Sequence, residues 1–164
     1  MKTLLFFRHG KSDWDADYDW DHNRPLAKRG RKAARAMGRW LAETGPLPES
    51  IVCSTAKRAR QTLKRAQKAG AWDASARFTR DLYGAYPSDL LAIIRHEPDT
   101  TQVLMLIGHE PTWSETIELF IDDVIDHFPT AAMARIDLSI DTWREAAFGG
   151  GTLGWLQKPR ALAG

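Results

Sequence analysis

The sequence predicts an α/β protein, a three-layer α/β/α sandwich around a mostly parallel central sheet. Three observations carry this. Short apolar runs alternate with segments of helical periodicity along the chain. Two of those runs, Leu4-Leu5-Phe6-Phe7 and Val103-Leu104-Met105-Leu106-Ile107, are continuously apolar, as strands buried on both faces are. No internal repeat, low-complexity tract or long linker divides the chain, so residues 1–164 read as a single domain.

The elements follow in order. A first strand covers 3–8. Pro25 stands where a helix can begin, with Ala33, Ala34, Met37 and Leu41 on one face and Gly45-Pro46 as its stop. A second strand runs over 50–54, then a helix over 56–69 that ends at Gly70, with Ala59, Leu63 and Ala66 aligned. A short strand over 77–82 leads through Pro87-Ser88 into a helix carrying Leu90, Leu91 and Ile94. The strand at 103–107 is followed by Thr112-Trp113-Ser114-Glu115, which has capping-box spacing. The helix it opens is expected to bury Trp113, Ile117, Phe120, Ile121 and Val124. Two last strands fall over 133–140 and 152–157, joined through Gly149-Gly150-Gly151.

Composition narrows the function classes. The chain has 164 residues, 43% hydrophobic and 27% charged, enough for a substantial core. Its 23 Lys and Arg against 21 Asp and Glu leave a net charge of +2, too little to predict a nucleic-acid partner. A lone cysteine, Cys53, excludes a disulfide framework and a cysteine-rich zinc site. No apolar run reaches the ~18 residues of a membrane span. The N-terminal run meets Arg8-His9 before it can form a signal-peptide core, which makes the cytoplasm the expected location.

Ligands of parallel α/β sheets gather at the carboxyl ends of the strands. Here three strands run straight into reactive residues: Arg8-His9-Gly10, then Ser54-Thr55-Ala56-Lys57-Arg58, then Gly108-His109-Glu110. If these ends are neighbours, two arginines and two histidines face one volume, which is chemistry for an anion. Guanidinium forks pair with phosphoryl oxygens, and Arg58 falls in the first turn of a helix, where free N–H groups add positive potential. Either histidine alone would read as an ordinary loop residue; the coincidence at three strand ends favours a site.

Other motifs fail on inspection. One residue too few separates Cys53 from Arg58 for a cysteine-phosphatase loop, and Ala59 stands where the arginine would fall, so Cys53 reads as a small buried thiol. Gly149-Gly150-Gly151 lacks the Lys-Ser or Lys-Thr of a Walker loop. The alternation from Asp13 to Asp21 has Tyr18 and Arg24, or Trp20 and Leu26, where an EF-hand needs Gly and Glu. It reads as a solvated acidic loop that attracts cationic partners or repels highly anionic small molecules.

Together these pieces resemble the histidine phosphatase superfamily, and within it the small SixA-like phosphohistidine phosphatases, whose fold is phosphoglycerate mutase-like. The resemblance rests on Arg8-His9-Gly10, on Asp21-His22-Asn23-Arg24-Pro25-Leu26 with Arg29-Gly30, and on Ser54 through Thr62. It continues through Leu82-Tyr83, Gly108-His109-Glu110-Pro111 and Phe128-Pro129-Thr130. It implies that His9 is the nucleophile and becomes a phosphohistidine, while Arg8, Arg58 and His109 hold the phosphoryl group. It also places Arg24 near the phosphate, although Arg24 can equally pair with a neighbouring aspartate. Lys11 adds charge to the rim or is a plain surface lysine; Ser12 donates to a phosphate oxygen or closes the turn. His22, His96 and His127 match no catalytic position, and Trp14 and Trp20 are candidates for the lip.

The glutamate that larger members use as a general acid is missing from Asp81-Leu82-Tyr83-Gly84-Ala85-Tyr86. An alkoxide leaving group needs a proton; the weak P–N bond of phosphohistidine needs less help. Asp21 is the candidate proton donor, or else a loop hydrogen-bonder, with Asp81 behind it. The expectation is therefore a phosphatase without metal or other cofactor. It would act on phosphohistidine of a partner protein and release inorganic phosphate. The alternatives are a broad phosphomonoesterase of small metabolites and a noncatalytic phosphoprotein binder.

Overall fold

The computed structural model describes residues 1–162. Six strands form one sheet: β1 (Lys2–Arg8), β2 (Ser50–Ser54), β3 (Ser75–Thr79), β4 (Val103–Gly108), β5 (Met133–Leu138) and β6 (Gly151–Gln157). Their order is β3-β2-β4-β1-β5-β6. The pairs β1–β4, β2–β4 and β2–β3 are parallel, and β5 runs antiparallel to both β1 and β6. Four helices cover the sheet: α1 (Lys28–Thr44), α2 (Lys57–Gly70), α3 (Pro87–Arg95) and α4 (Thr112–Ile121).

Alternate residues of the central strands point to opposite layers, which explains their unbroken apolar runs. Leu4, Phe6, Leu104 and Leu106 pack with Leu90 and Ile94 of α3 and with Trp113, Ile117 and Phe120 of α4. Leu5, Phe7, Met105 and Ile107 pack with Met37 and Leu41 of α1 and with Ala59, Leu63 and Ala66 of α2. The protein therefore has two cores, one on each side of the sheet, and is the predicted three-layer sandwich with a mostly parallel sheet.

Several boundaries differ from the sequence reading. The first helix starts at Lys28, not at Pro25, because Ser12 bridges Leu26 in an antiparallel contact and the Pro25 carbonyl accepts the Asp13 N–H. The third strand ends at Thr79; Arg80–Leu82 form a 3-10 turn. The capping box at Thr112 does not form. The Thr112 hydroxyl donates to the Ala85 carbonyl; Pro111 stands at the cap position, and the carboxylate of Glu110 just before it accepts from the Ser114 N–H and hydroxyl, each at 2.6 Å. Asp122 adopts a left-handed conformation that ends α4, so Val124 lies beyond the helix and is 80% exposed instead of joining the buried stripe.

Two glycines of the sequence motifs are required by close packing. A Cβ on Gly30 would sit 2.2 Å from the Lys11 carbonyl oxygen, so only glycine lets α1 press against the segment that follows β1. A Cβ on Gly108 would sit 2.2 Å from the Trp113 ring at the start of α4.

Candidate active site

β2, β4 and β1 are neighbours in the sheet, and their carboxyl ends are level: Cys53 pairs with Ile107 and Arg8 with Gly108. Ser54, His109 and His9 consequently emerge side by side. Arg58 enters from the first turn of α2 and is buried. The four residues expected at one site, Arg8, His9, Arg58 and His109, are brought together.

His9 is fixed at both backbone ends. Its N–H donates to the Gly108 carbonyl (3.0 Å), and its carbonyl accepts from the Ala131 N–H (2.9 Å). The ring Nδ1 lies 2.7 Å from the Gly10 carbonyl oxygen, a pure acceptor, so Nδ1 carries the proton and Nε2 keeps its lone pair. Gly10 N–H donates to the Thr62 hydroxyl, which donates to the Arg58 carbonyl, and this ties the loop after β1 to α2. Burial pushes the His9 imidazole well below its ordinary pKa, and His109, Arg58 and Arg8 nearby add to the depression. The ring is neutral at cellular pH.

His109 lies with its ring centroid 5.2 Å from that of His9. Its Nε2 is 2.8 Å from Ser54 Oγ, which already accepts the Ala56 N–H. In the tautomer in which the Ser54 hydroxyl donates to Nε2, the ring proton sits on Nδ1. Burial, with the Arg58 charge behind it, pushes His109 down to about 3, so this residue too is neutral. Arg8 Nη1 donates to the Phe128 carbonyl (3.1 Å). Three nitrogens of this group, Arg8 Nε, Arg58 Nε and His109 Nδ1, are buried and have no hydrogen-bond partner among the described residues. Buried polar nitrogens without partners are rare; two others, Arg65 Nε and Trp155 Nε1, lie outside this group, and these three fall on residues that can hold an anion.

Around this centre lies a second layer. The Asp21 carboxylate pairs with Arg24 and with Arg58 Nη2 (3.0 Å) and accepts from the Tyr83 hydroxyl (2.6 Å). Partial burial opposes ionisation of Asp21, but the Tyr83 hydrogen bond and the Arg24 and Arg58 cations outweigh it and hold the carboxyl far below the usual range. The candidate proton donor is thus an ionised hydrogen-bond hub. Arg24 is buried, donates from Nε to Ser12 Oγ (2.9 Å), and stacks under Trp14 at 3.6 Å. Ser12 therefore orients Arg24 and closes the turn. Lys11 is exposed and makes no side-chain hydrogen bond among the described residues.

Three contributors carried no assigned role in the sequence reading. Ser54 orients His109. Tyr83 packs edge-on against His109 with centroids 5.6 Å apart and binds Asp21. His22, expected to be peripheral, shares a hydrogen bond with Thr55 Oγ1 and lies against Tyr83 and Trp20, at 5.0 and 4.9 Å. All three stood inside the quoted motifs, which was the available signal. Cys53 is buried, and that burial pushes its thiol far up, so it is inert. Among the described residues no three His, Cys, Asp or Glu side chains group as a metal site requires, and no helix is long and apolar enough to cross a membrane.

A three-layer sandwich with a buried neutral histidine, a second histidine and two arginines at the ends of adjacent parallel strands has the architecture of the phosphoglycerate mutase-like fold. The sequence profile of the histidine phosphatase superfamily (branch 1) matches residues 4–83. An uncharacterised protein of Mycobacterium tuberculosis is 37% identical over 137 residues, 77% of this chain and 84% of the relative. The structure of a chain assigned as SixA from Nakamurella multipartitia is similar with a TM-score of 0.82 at 29% identity, covering 96% of each chain. That of the protein histidine phosphatase SixA complexed with tungstate is similar with a TM-score of 0.78 at 25% identity, covering 98% of this chain and 99% of the other. The chain belongs to the histidine phosphatase superfamily, on its SixA-like branch.

Proposed function

We propose that the protein hydrolyses phosphohistidine on a partner protein through a phosphoenzyme formed on His9. The observation that carries this reading is the state of His9: a buried neutral imidazole whose Nδ1–H is spent on the Gly10 carbonyl, beside three buried nitrogens that lack partners. Such a ring is a nucleophile at neutral pH without a separate base. Nε2 attacks phosphorus, the bond to the leaving imidazole nitrogen breaks, and that nitrogen keeps the electron pair and takes a proton from solvent. Arg8, Arg58 and His109 hold the three peripheral oxygens as charge builds on them. Water then attacks the phosphohistidine, returning the electron pair to Nε2 and releasing inorganic phosphate.

The leaving group supports the substrate class. The candidate carboxyl group, Asp21, is not available to protonate an alkoxide. Asp21 is ionised, and Tyr83 donates its own proton to Asp21 and is held above its ordinary pKa, by burial first and by that carboxylate second. A P–N substrate needs no strong acid, and the similarity to SixA structures points the same way. Lys11 is assigned the rim, and the buried Arg24, held by Ser12, contributes charge from behind the centre.

The test is a substrate panel assayed with chelator present. A phosphohistidine protein should be turned over far faster than alkyl phosphates such as glycerol phosphate, and chelator should change nothing. Equal or faster turnover of alkyl phosphates would assign the protein to small metabolites. Activity lost with chelator and restored by a divalent ion would refute the mechanism.

A further inference from the structure

Asp21 meets the Arg58 guanidinium end-on. Nη1 donates to the Asp21 main-chain oxygen at 2.8 Å and Nη2 donates to Oδ2 at 3.0 Å, while Nε is buried and unpartnered. Arg8 follows the same pattern, with Nη1 anchored on the Phe128 carbonyl and Nε buried and unpartnered. A guanidinium is a rigid plane, so fixing its end nitrogens decides which edge remains, here Nε with the second hydrogen of Nη2. We infer that Asp21 is a positioning residue for phosphoryl transfer: it holds Arg58 side-on, so that Arg58 Nε joins Arg8 Nε and His109 Nδ1 in a cradle of one donor for each peripheral phosphoryl oxygen.

Asp21 can do this because its own orientation is over-determined. One carboxylate oxygen is held by Arg24, itself tied to Ser12, and the other by the Tyr83 hydroxyl as well as by Arg58. Two other roles for the same carboxylate fit less well. As a proton donor it would have to be protonated, which three surrounding donors oppose. As a stand-in for the substrate phosphate it would have to occupy Nε, which it leaves free. The closing 3-10 turn of the acidic loop (Asp21–Asn23) is in this way coupled to the phosphate-binding arginine.

The inference rests on the phosphatase reading, and the experiment separates the two. Asp21→Ala and the isosteric Asp21→Asn are compared with wild type for turnover of p-nitrophenyl phosphate and phenyl phosphate, and for binding of inorganic phosphate by calorimetry. Misaiming a catalytic group by about 1 Å costs on the order of a hundredfold, so Asp21→Ala should lower kcat to that extent, by the same factor for both esters, and weaken phosphate binding. Asp21→Asn, which keeps one of the two acceptor oxygens, should recover part of the loss; a bare folding role would lower the active fraction without this rescue or a changed kcat per active site. Three results overturn the inference: tighter phosphate binding in Asp21→Ala, a loss concentrated on phenyl phosphate with its poorer leaving group, or an unchanged kcat. Should wild type turn over neither ester nor a phosphohistidine protein, the phosphatase reading fails, and the phosphate affinities still decide whether Asp21 aims Arg58.

Discussion

His9 and His109 are bases that the fold keeps uncharged in a basic surrounding, and this has consequences in solution. By NMR, the His9 imidazole should remain neutral as pH is lowered through 6.5, the ordinary histidine value; a ring that protonates near 6.5 would remove the case for a preformed nucleophile. The same depression links stability to pH. The unfolded chain protonates His109 near 6.5 and the folded chain only near 3, so between these values the unfolded state binds the extra proton. The stabilisation is complete above 6.5 and is lost as pH falls toward 3. The denaturant midpoint should therefore drop over that window, and His109→Asn should flatten part of the slope. A midpoint that rises on acidification contradicts the account. In the proposed mechanism Arg58→Ala removes a transition-state donor and should cost on the order of a hundredfold in kcat, read from turnover of a phosphohistidine protein.

Among the elements, those with the strongest local signal were the ones read correctly. β1 and β4 are buried on both faces, so their apolar runs are unbroken and stand out in sequence. The misreadings came where a side chain answers to a distant partner. Thr112 has the right spacing for a cap but faces the Ala85 carbonyl, and Glu110 takes over its role. Replacing Glu110 by Ala should therefore cost about 1 kcal/mol of stability, as loss of a helix cap does, while Thr112→Val leaves the cap intact; equal costs would contradict this assignment. Gly30→Ala must push back the Lys11 main chain, and an overpacked contact of this kind costs roughly 1–3 kcal/mol. Thermal melting checks both, and a Gly30→Ala protein as stable as wild type would show that the contact relaxes freely.

At the scale of the whole molecule, the site exists because the sheet order sets β2, β4 and β1 side by side. The sequence displayed three strand ends with arginine and histidine, but adjacency belongs to the crossover connections and not to any local pattern. Arg8, His9, Arg58 and His109 were legible because each follows a recognisable strand. Asp21 stayed open in the sequence between proton donor and loop hydrogen-bonder, because what surrounds its carboxylate includes Arg58, 37 residues away, and Tyr83, 62 residues away. His22 was passed over for the same reason: its neighbours Thr55 and Tyr83 come from other segments. The proposed substrate class draws on the same network, since an ionised Asp21 has no proton to give an alkoxide leaving group.

The most direct measurement is a trap for the phosphoenzyme: brief reaction with a labelled phosphohistidine protein, denaturation, and a test of the bound phosphate for acid lability and base stability. Wild type should carry such a phosphate on His9, and His9→Ala should carry none. Label that survives acid, or that persists in His9→Ala, would contradict catalysis through His9.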